Sequence, residues 1–308
     1  MLFASIDLGT NTCNLSIALW GIKGLEIVHA EKLAIKLGAE GFPDGNIPAS
    51  ALQRIVDALL HYRAVLEEYS VQKTMLTATS GVRNANNRED VIAHIKDKTG
   101  FDTHVISGEE EAEHIYRGVR EAVPMDEAPC LLLDIGGGSN EIQIASMGKV
   151  YWRKSVDLGI ARLLNRFKPS DPLKKEEILE IENYLHQKLD FLPELAEKYQ
   201  INTMIGSSGS FDTFASMYIE KAGLHGTYRD TRWYGIPMDD YAAIHHALIT
   251  NDKEKRLAIP GMEAMRVEMI PLASVFTNFL INLFGIKQLI RSAYALKEGV
   301  IASMARNL

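Results

Sequence analysis

Two loops in the sequence carry the residue types that bind phosphate. The first, Asp7-Leu8-Gly9-Thr10-Asn11-Thr12, follows a short apolar run. An aspartate at the end of a buried strand, a glycine that lets the backbone approach a ligand, and the hydroxyl, amide and N–H donors that follow suit a phosphate group. Because Asp-x-Gly also forms ordinary turns, this loop alone leaves both interpretations open.

The second loop, Asp134-Ile135-Gly136-Gly137-Gly138-Ser139-Asn140-Glu141, is more specific. Consecutive glycines cost backbone entropy and bury no side chain, so they indicate backbone wrapped closely around an anion, with a flexible hairpin turn as the alternative. Mg²⁺ prefers carboxylate and phosphate oxygens, which makes Asp7 and Asp134 candidate metal ligands. Glu141 either joins that metal site, orients water, or is an outward-facing strand residue.

A third segment, Gly206-Ser207-Ser208-Gly209, follows a strand and opens a helix. The N–H groups at a helix start bind anions, so Ser207, Ser208 and Gly209 are candidate phosphate ligands. The serines are equally suited to capping the helix.

Glu111 is the candidate catalytic residue. Ser107 and Glu110 fit a capping box, and acidic residues suit the start of a helix, which accounts for Glu109 and Glu110. Glu111 is surplus to that box and is a candidate general base for water attack at a terminal phosphorus. Arg83, in a polar segment after a strand, either contacts phosphate oxygens in bidentate fashion or is simply exposed.

The elements that position these loops occur twice. A strand, an Asp-x-Gly turn and a second strand appear near residue 7 and again near residue 134, which indicates an internal duplication. A chain of 308 residues predicts two domains, and the short acidic segment 124–129 is the best linker. We predict a loop at 38–48, a polar turn at 79–88, and helices at 176–199, 266–284 and 296–306.

Composition excludes several classes of function. The apolar content of 46% and charged content of 24% are those of a soluble globular protein, and the net charge of −7 gives no general attraction to nucleic acid or anionic membrane. No apolar run reaches membrane-span length and no signal segment precedes the first strand, so a cytoplasmic location is expected. Cys13 and Cys130 are expected as buried free thiols, and the adjacent His245 and His246 as surface residues.

Together the loops resemble the exopolyphosphatase/guanosine pentaphosphate phosphohydrolase family of the sugar kinase–Hsp70–actin superfamily. The similar segments run in family order along the chain. They are Ala4-Ser5-Ile6-Asp7-Leu8-Gly9-Thr10-Asn11-Thr12, Ala78-Thr79-Ser80-Gly81-Val82-Arg83-Asn84-Ala85, Ile106-Ser107-Gly108-Glu109-Glu110-Glu111-Ala112, Leu133-Asp134-Ile135-Gly136-Gly137-Gly138-Ser139-Asn140-Glu141, Ile205-Gly206-Ser207-Ser208-Gly209-Ser210 and Leu296-Lys297-Glu298-Gly299-Val300.

The resemblance implies an α/β fold of two actin-like (ribonuclease H-like) domains with a phosphate-binding cleft between them. The domains would span 1–124, completed by a helix at 297–308, and 125–296. It implies Mg²⁺-dependent release of orthophosphate from the end of inorganic polyphosphate, or from the 5′ end of guanosine pentaphosphate. It assigns Glu111 as the catalytic base, Asp134 and Glu141 as metal or water ligands, and Arg83 as a phosphate ligand.

Other functions stay open at this point. The duplicated loops also permit a kinase of the same superfamily or a non-catalytic sensor of polyphosphate or guanosine polyphosphates, although Glu111 favours water as the acceptor. The additional C-terminal domains of long family members have no counterpart here, which suggests action on short chains or chain ends. The apolar helices from Arg266 onward either form the core of the second domain or pair two copies as a homodimer.

Overall fold

The structure, a computed structural model, describes residues 1–22, 24–37, 45–224 and 231–306. Residues 38–44 of the predicted loop at 38–48 lie outside the described part. The remaining chain forms two mixed sheets with helices on their faces, which confirms the predicted α/β class.

The first half builds a five-stranded sheet in the order β3-β2-β1-β4-β5. Its central strand β1 is apolar and mostly buried, and it pairs antiparallel with β2 and parallel with β4, so its carboxyl end opens toward the following loops. The elements are β1 (Leu2–Leu8), β2 (Thr12–Gly21), β3 (Gly24–Ala34), α1 (Ala49–Glu68), β4 (Lys73–Ala78), α2 (Ser80–Arg83), α3 (Arg88–Thr99), β5 (Thr103–Val105) and α4 (Gly108–Ala122).

The second half builds a six-stranded sheet in the order β10-β11-β9-β6-β7-β8. Its elements are β6 (Cys130–Ile135), β7 (Asn140–Ser146), β8 (Lys149–Val156), α5 (Ile160–Phe167), α6 (Lys175–Lys188), α7 (Leu192–Tyr199), β9 (Thr203–Ser207), α8 (Ser208–Ala222), β10 (Trp233–Ile236), α9 (Met238–Thr250), α10 (Lys253–Leu257), a 3₁₀ turn (Ala264–Arg266), α11 (Ile270–Phe284), β11 (Gln288–Ser292) and α12 (Leu296–Arg306).

The two sheets share one topology. The order β8-β7-β6-β9-β11 repeats β3-β2-β1-β4-β5, with β10 added at the far edge. The register repeats as well, because Asp7 lies opposite Asn14 and Asp134 lies opposite Glu141. This agreement supports the duplication inferred from the sequence and places both aspartates at equivalent strand ends.

Helices α4 and α12 join the two halves. An apolar cluster between the sheets contains residues of both helices together with residues of β1 and β6 to β7. A Cβ on Gly118 would lie 1.9 Å from the carbonyl oxygen of Ala295, and one on Gly299 would lie 1.7 Å from that of His114. The helix backbones therefore touch, and only glycine fits at either position. The predicted domain boundary at residue 124 falls between α4 and β6 and stays a prediction.

Several predicted elements need correction. The helix predicted at 176–199 is two helices, α6 and α7, because Pro193 has no N–H to continue the first and suits the first turn of the second. The helix predicted from residue 266 begins only at Ile270. The segment 79–88, predicted as a polar turn, contains the short helix α2.

Two predictions about single side chains have different outcomes. Cys13 and Cys130 are free and buried, as predicted. His245 is not a surface residue as predicted, because it is half-buried and its Nδ1 lies 2.6 Å from the Oγ of Ser274.

Candidate active site

The two aspartate loops are closed by the same backbone hydrogen bond. In the first, the N–H of Gly9 donates to the carbonyl oxygen of Thr12 at 3.0 Å, and in the second the N–H of Gly136 donates to that of Ser139 at 3.0 Å. Each turn follows a strand with a parallel neighbour, and ligands bind at such carboxyl ends of strands in α/β sheets. The duplication thus supplies two similar cradles at equivalent positions.

The two loops lie against each other across the cleft. A Cβ on Gly137 would lie 2.7 Å from Nδ2 of Asn11, and one on Gly138 would lie 2.7 Å from Oγ1 of Thr10 and 2.6 Å from Oγ of Ser80. A side chain at either position would displace residues of the first half, so the close approach of the two halves favours glycine there. Packing against the first half is thus a second explanation for the glycine run, besides close approach to an anion. The sequence alone did not reveal it.

The backbone of the glycine run is oriented by the start of α5. The carbonyl oxygens of Gly136 and Gly137 accept from the N–H groups of Ile160 and Ala161, at 3.0 Å each, and the carbonyl of Gly138 accepts from Gly159 at 3.3 Å. In a trans peptide the next N–H points opposite to the carbonyl. The N–H groups that follow these carbonyls therefore point away from α5, as in an anion-binding nest.

The loops enclose a cleft of about 770 Å³ between the halves. It brings most of the predicted site residues together, and three of them, Arg83, Glu141 and Ser207, lie just outside it. The predicted residues that line it are Asp7, Gly9, Thr10, Asn11, Thr12, Glu111, Asp134, Gly136, Gly137, Gly138, Ser139, Ser208 and Gly209.

The serines at the start of α8 hold Asp134. The Oγ atoms of Ser207 and Ser208 both donate to Oδ2 of Asp134, at 2.5 and 2.6 Å. Burial raises the pKa of Asp134, and these two hydrogen bonds oppose the shift. No side-chain cap is formed by Ser207 at the start of α8, so both serines orient the aspartate.

One carboxylate oxygen of Asp7 has no hydrogen-bond partner among the described residues. Its Oδ2 accepts from Nδ2 of Asn14 at 3.1 Å, while its Oδ1 is buried and has no hydrogen-bond partner in the described chain. Desolvation raises the pKa of Asp7 to about 6, opposed by Lys297 and the bond from Asn14. A shielded oxygen without a partner is a suitable ligand for a cation.

The donors fit a magnesium ion held partly by substrate. Within residues 1–22, 24–37, 45–224 and 231–306, no group of three or more His, Cys, Asp or Glu side chains is arranged to hold a metal. Mg²⁺ usually takes one or two carboxylates together with phosphate oxygens and water. Asp7 and Asp134 fit that pattern, whereas the buried Glu141 accepts from Oγ of Ser155 at 2.6 Å behind the cleft wall.

Glu111 lies in the first turn of α4, where the predicted capping box is present. The Oγ of Ser107 accepts from the N–H of Glu110 at 3.2 Å, and Oε2 of Glu110 accepts from the N–H of Ser107 at 2.8 Å. This box leaves Glu111 free to turn inward, where its side chain is only 9% exposed. Glu111 therefore lines the cleft that holds both loops.

Arg83 is the partner of Glu111. Its Nη1 donates to Oε2 of Glu111 and to the carbonyl oxygen of Ile106, both at 2.9 Å. Burial raises the pKa of Glu111 to about 7; Arg83 opposes this rise, and the charges of Asp7 and Asp134 add to it. A carboxylate with this pKa can accept a proton near neutral pH. Arg83 itself lies outside the cleft lining, on the far side of Glu111.

The sequence assigned no role to the five described cations that line the cleft, which are Lys32, Lys36, Lys253, Arg266 and Lys297. Lys297, at the start of α12, has a 27% exposed side chain and lines the cleft. Burial lowers the pKa of Lys297, but the carboxylates of Glu298 and Asp7 outweigh burial and raise it. Arg266 lies over the first turn of α8, where a Cβ on Gly209 would be 1.4 Å from its Nη2. Each lies in a segment already noted in the sequence, but neither has a local pattern that indicates a ligand.

The structure therefore has an actin-like fold of two similar halves, with two aspartate loops and a buried carboxylate in one cleft. The model of the Ppx/GppA phosphatase family matches residues 17–308, and the chain belongs to that family. It is therefore a hydrolase.

Known proteins agree with this assignment over their full lengths. An exopolyphosphatase structure from Cytophaga hutchinsonii is 33% identical with a TM-score of 0.95, covering 100% of this chain and 99% of its own. Exopolyphosphatase 2 of Mycobacterium tuberculosis is 27% identical over 98% of both chains. The Aquifex aeolicus Ppx/GppA family member, 23% identical with a TM-score of 0.82 over 100% of this chain and 98% of its own, shares the fold.

The sequence contains no apolar run of membrane-span length, and the helices of the structure can be compared with that expectation. Among the described residues, every helix is either too short or too polar to cross a bilayer. The homodimer that the sequence left open as one alternative stays untested.

Proposed function

We propose that this protein releases orthophosphate from the end of inorganic polyphosphate, with Mg²⁺ as cofactor and Glu111 as the base that activates water. One observation carries the proposal. Glu111 is the carboxylate with a pKa of about 7, and it lines the same cleft as both phosphate loops. Such a base can activate either water or a hydroxyl group of a second substrate, and membership of a phosphatase family favours water.

Each residue has a distinct task in this proposal. The N–H groups after the carbonyls of the glycine run bind oxygens of the terminal phosphate, as do the donors of Thr10 and Asn11. Asp7 and Asp134 hold the cation, which when bound neutralises charge on the phosphate oxygens. Lys297 offsets part of the negative charge of the carboxylates around it, which include Glu298, Asp7 and Asp134.

The chemical step requires one proton acceptor. The water oxygen bonds to the terminal phosphorus as the bond from that phosphorus to the bridging oxygen breaks, and the electron pair stays on the shortened chain. The proton of the water passes to Glu111. Arg83 holds Oε2 of Glu111 at 2.9 Å, which leaves Oε1 to accept the proton.

The cleft lining favours polyphosphate over guanosine pentaphosphate. The described residues that line it include no Phe, Tyr, Trp or His side chain on which a guanine ring could stack. They do include the cations Lys32, Lys36, Lys253 and Arg266, which suit a chain of phosphates. Two of the similar proteins are named exopolyphosphatases.

A substrate panel tests the proposal. Short polyphosphate, long polyphosphate and guanosine pentaphosphate are each incubated with the protein while Mg²⁺ is titrated, and orthophosphate is measured. We expect release from polyphosphate that requires Mg²⁺ and is lost in Glu111→Gln. Glu109→Gln is the matched control, because that exposed neighbour pairs with Arg153 and does not line the cleft. Full activity in Glu111→Gln rules out the assigned base, and preference for guanosine pentaphosphate rules out the assigned substrate.

A further inference from the structure

One carboxylate connects the two walls of the cleft. Oε2 of Glu263 accepts from Nζ of Lys32 at 3.1 Å and from Nε of Arg266 at 3.2 Å. Lys32 lies on the edge strand β3 of the first half, while Glu263 precedes the 3₁₀ turn of the second half and Arg266 is the last residue of that turn. A single oxygen is therefore shared by two cations from opposite halves.

Both cations face the space where substrate would enter. Lys32 and Arg266 line the cleft, and Glu263 does not. Arg266 also covers Gly209, in the same turn of α8 whose Ser208 holds Asp134. A phosphate chain reaching the aspartate loops would therefore pass cations that already have a negative partner.

The bridge formed by Lys32, Glu263 and Arg266 is exposed to water, so an incoming anion can replace Glu263. The side chains of Lys32, Glu263 and Arg266 are 34%, 32% and 23% exposed, and ion pairs with such access to water are among the weakest. The pair between Arg83 and Glu111, at 17% and 9%, is far more enclosed. A polyphosphate chain carries negative charge on every phosphate, so several charges can replace the single carboxylate, and its oxygens suit arginine in bidentate fashion.

We propose that Glu263 is a tethered counter-ion for Lys32 and Arg266, which a polyphosphate chain displaces when it binds. This inference rests on the proposed function, because the displacing anion is the substrate chain. A chain of phosphates reaches both cations at once and removes Glu263 from both. Orthophosphate can also contact both cations, since they share one oxygen of Glu263, but it has no further phosphates for the aspartate loops to hold, so the device favours chains over product.

The test is a calorimetric titration with short polyphosphate in EDTA at low salt. Glu263→Gln removes the competing charge, so we expect its Kd to fall about threefold to fivefold, the equivalent of one exposed ion pair. The gain should shrink as salt screens the cations. Asp240→Asn is the matched control, because it breaks the exposed pair with Lys221 away from the cleft, and its Kd should equal that of the wild type.

Several results would contradict the role of Glu263 as a displaceable counter-ion. Unchanged or weaker binding in folded Glu263→Gln means that Glu263 positions Arg266 and does not compete with the chain. Lys32→Met probes the same bridge from the other side and should weaken chain binding; no weakening excludes Lys32 as a chain contact. If the wild-type protein hydrolyses polyphosphate with Mg²⁺ but does not bind it in EDTA, the comparison with Glu263→Gln is made on KM in Mg²⁺, and an unchanged KM overturns the counter-ion role. Absence of both hydrolysis and binding would remove the proposed function as well.

Discussion

Two roles for Arg83, binding phosphate and keeping Glu111 ionised, predict different pH dependences of the catalytic rate. The sequence suggests that Arg83 contacts phosphate, whereas the structure places its Nη1 2.9 Å from Oε2 of Glu111, where it opposes the rise in the pKa of that carboxyl. If Arg83 acts on Glu111, Arg83→Met must leave Glu111 protonated to a higher pH. The catalytic rate then falls at neutral pH because less of the base is ionised.

The magnitude follows from the pair. A cation in contact with a carboxylate typically lowers its pKa by about one to three units, so its removal should move the acid limb of kcat upward by about that amount. Since the pKa of Glu111 is about 7 with Arg83 present, roughly half of the base is ionised at neutral pH. The loss in kcat at neutral pH should therefore be about fivefold to 500-fold, and activity should recover as pH rises.

The assay is orthophosphate release at saturating polyphosphate, followed from mildly acidic to alkaline pH. Arg83→Lys keeps the charge and should shift the acid limb less than Arg83→Met. Arg88→Met is the control for loss of a nearby exposed arginine. An acid limb that stays in place while KM rises at every pH would refute the reasoning and assign Arg83 to the phosphate.

Three further predictions concern the loops and the carboxylates. Asp7→Asn removes a carboxyl group whose pKa is about 6 in the folded protein and 3.8 in the unfolded chain, so its ionisation destabilises the fold above pH 3.8. In EDTA at pH 7 the free energy of unfolding should therefore rise by up to about 3 kcal/mol, while activity is lost. Urea titration should show that this gain in stability vanishes below pH 4. Mg²⁺ should raise the melting temperature of the wild type but not of Asp7→Asn, and equal shifts would exclude Asp7 as a ligand. Gly138→Ala places a Cβ 2.6 Å from Oγ of Ser80 and should reduce kcat/KM about tenfold or more at a stability cost of about 1–3 kcal/mol, whereas Gly21→Ala, with open space around it, should do neither.

Local chemistry made part of the molecule predictable. Apolar runs that end in Asp-x-Gly gave the loops after β1 and β6, and the bounds of α12 agree with the prediction for 296–306. The capping box of Ser107 and Glu110 was also predictable, since it depends on residues three apart in the chain. These features need no knowledge of distant contacts.

What could not be predicted depends on contacts between distant segments. Gly137 faces Asn11 of the other loop, and Arg266 covers Gly209, so the reasons for these residues appear only after folding. Lys297 has no motif of its own and becomes a cleft residue because α12 returns to β1. The short helices α2, α5 and α10 are too brief for a clear helical periodicity, and packing decides their conformation.

The return of α12 to the first sheet also governs the order in which the chain can fold. The inner face of β1 is covered partly by Val300 and Ile301 of α12, which are translated long after the strands they cover. Such contacts are far apart in sequence and form slowly. During synthesis the first half should therefore expose an apolar surface until α12 has been made. A fragment of residues 1–124 should bind a hydrophobic dye that the whole protein excludes, and a compact fragment that excludes the dye would show that the first half matures alone.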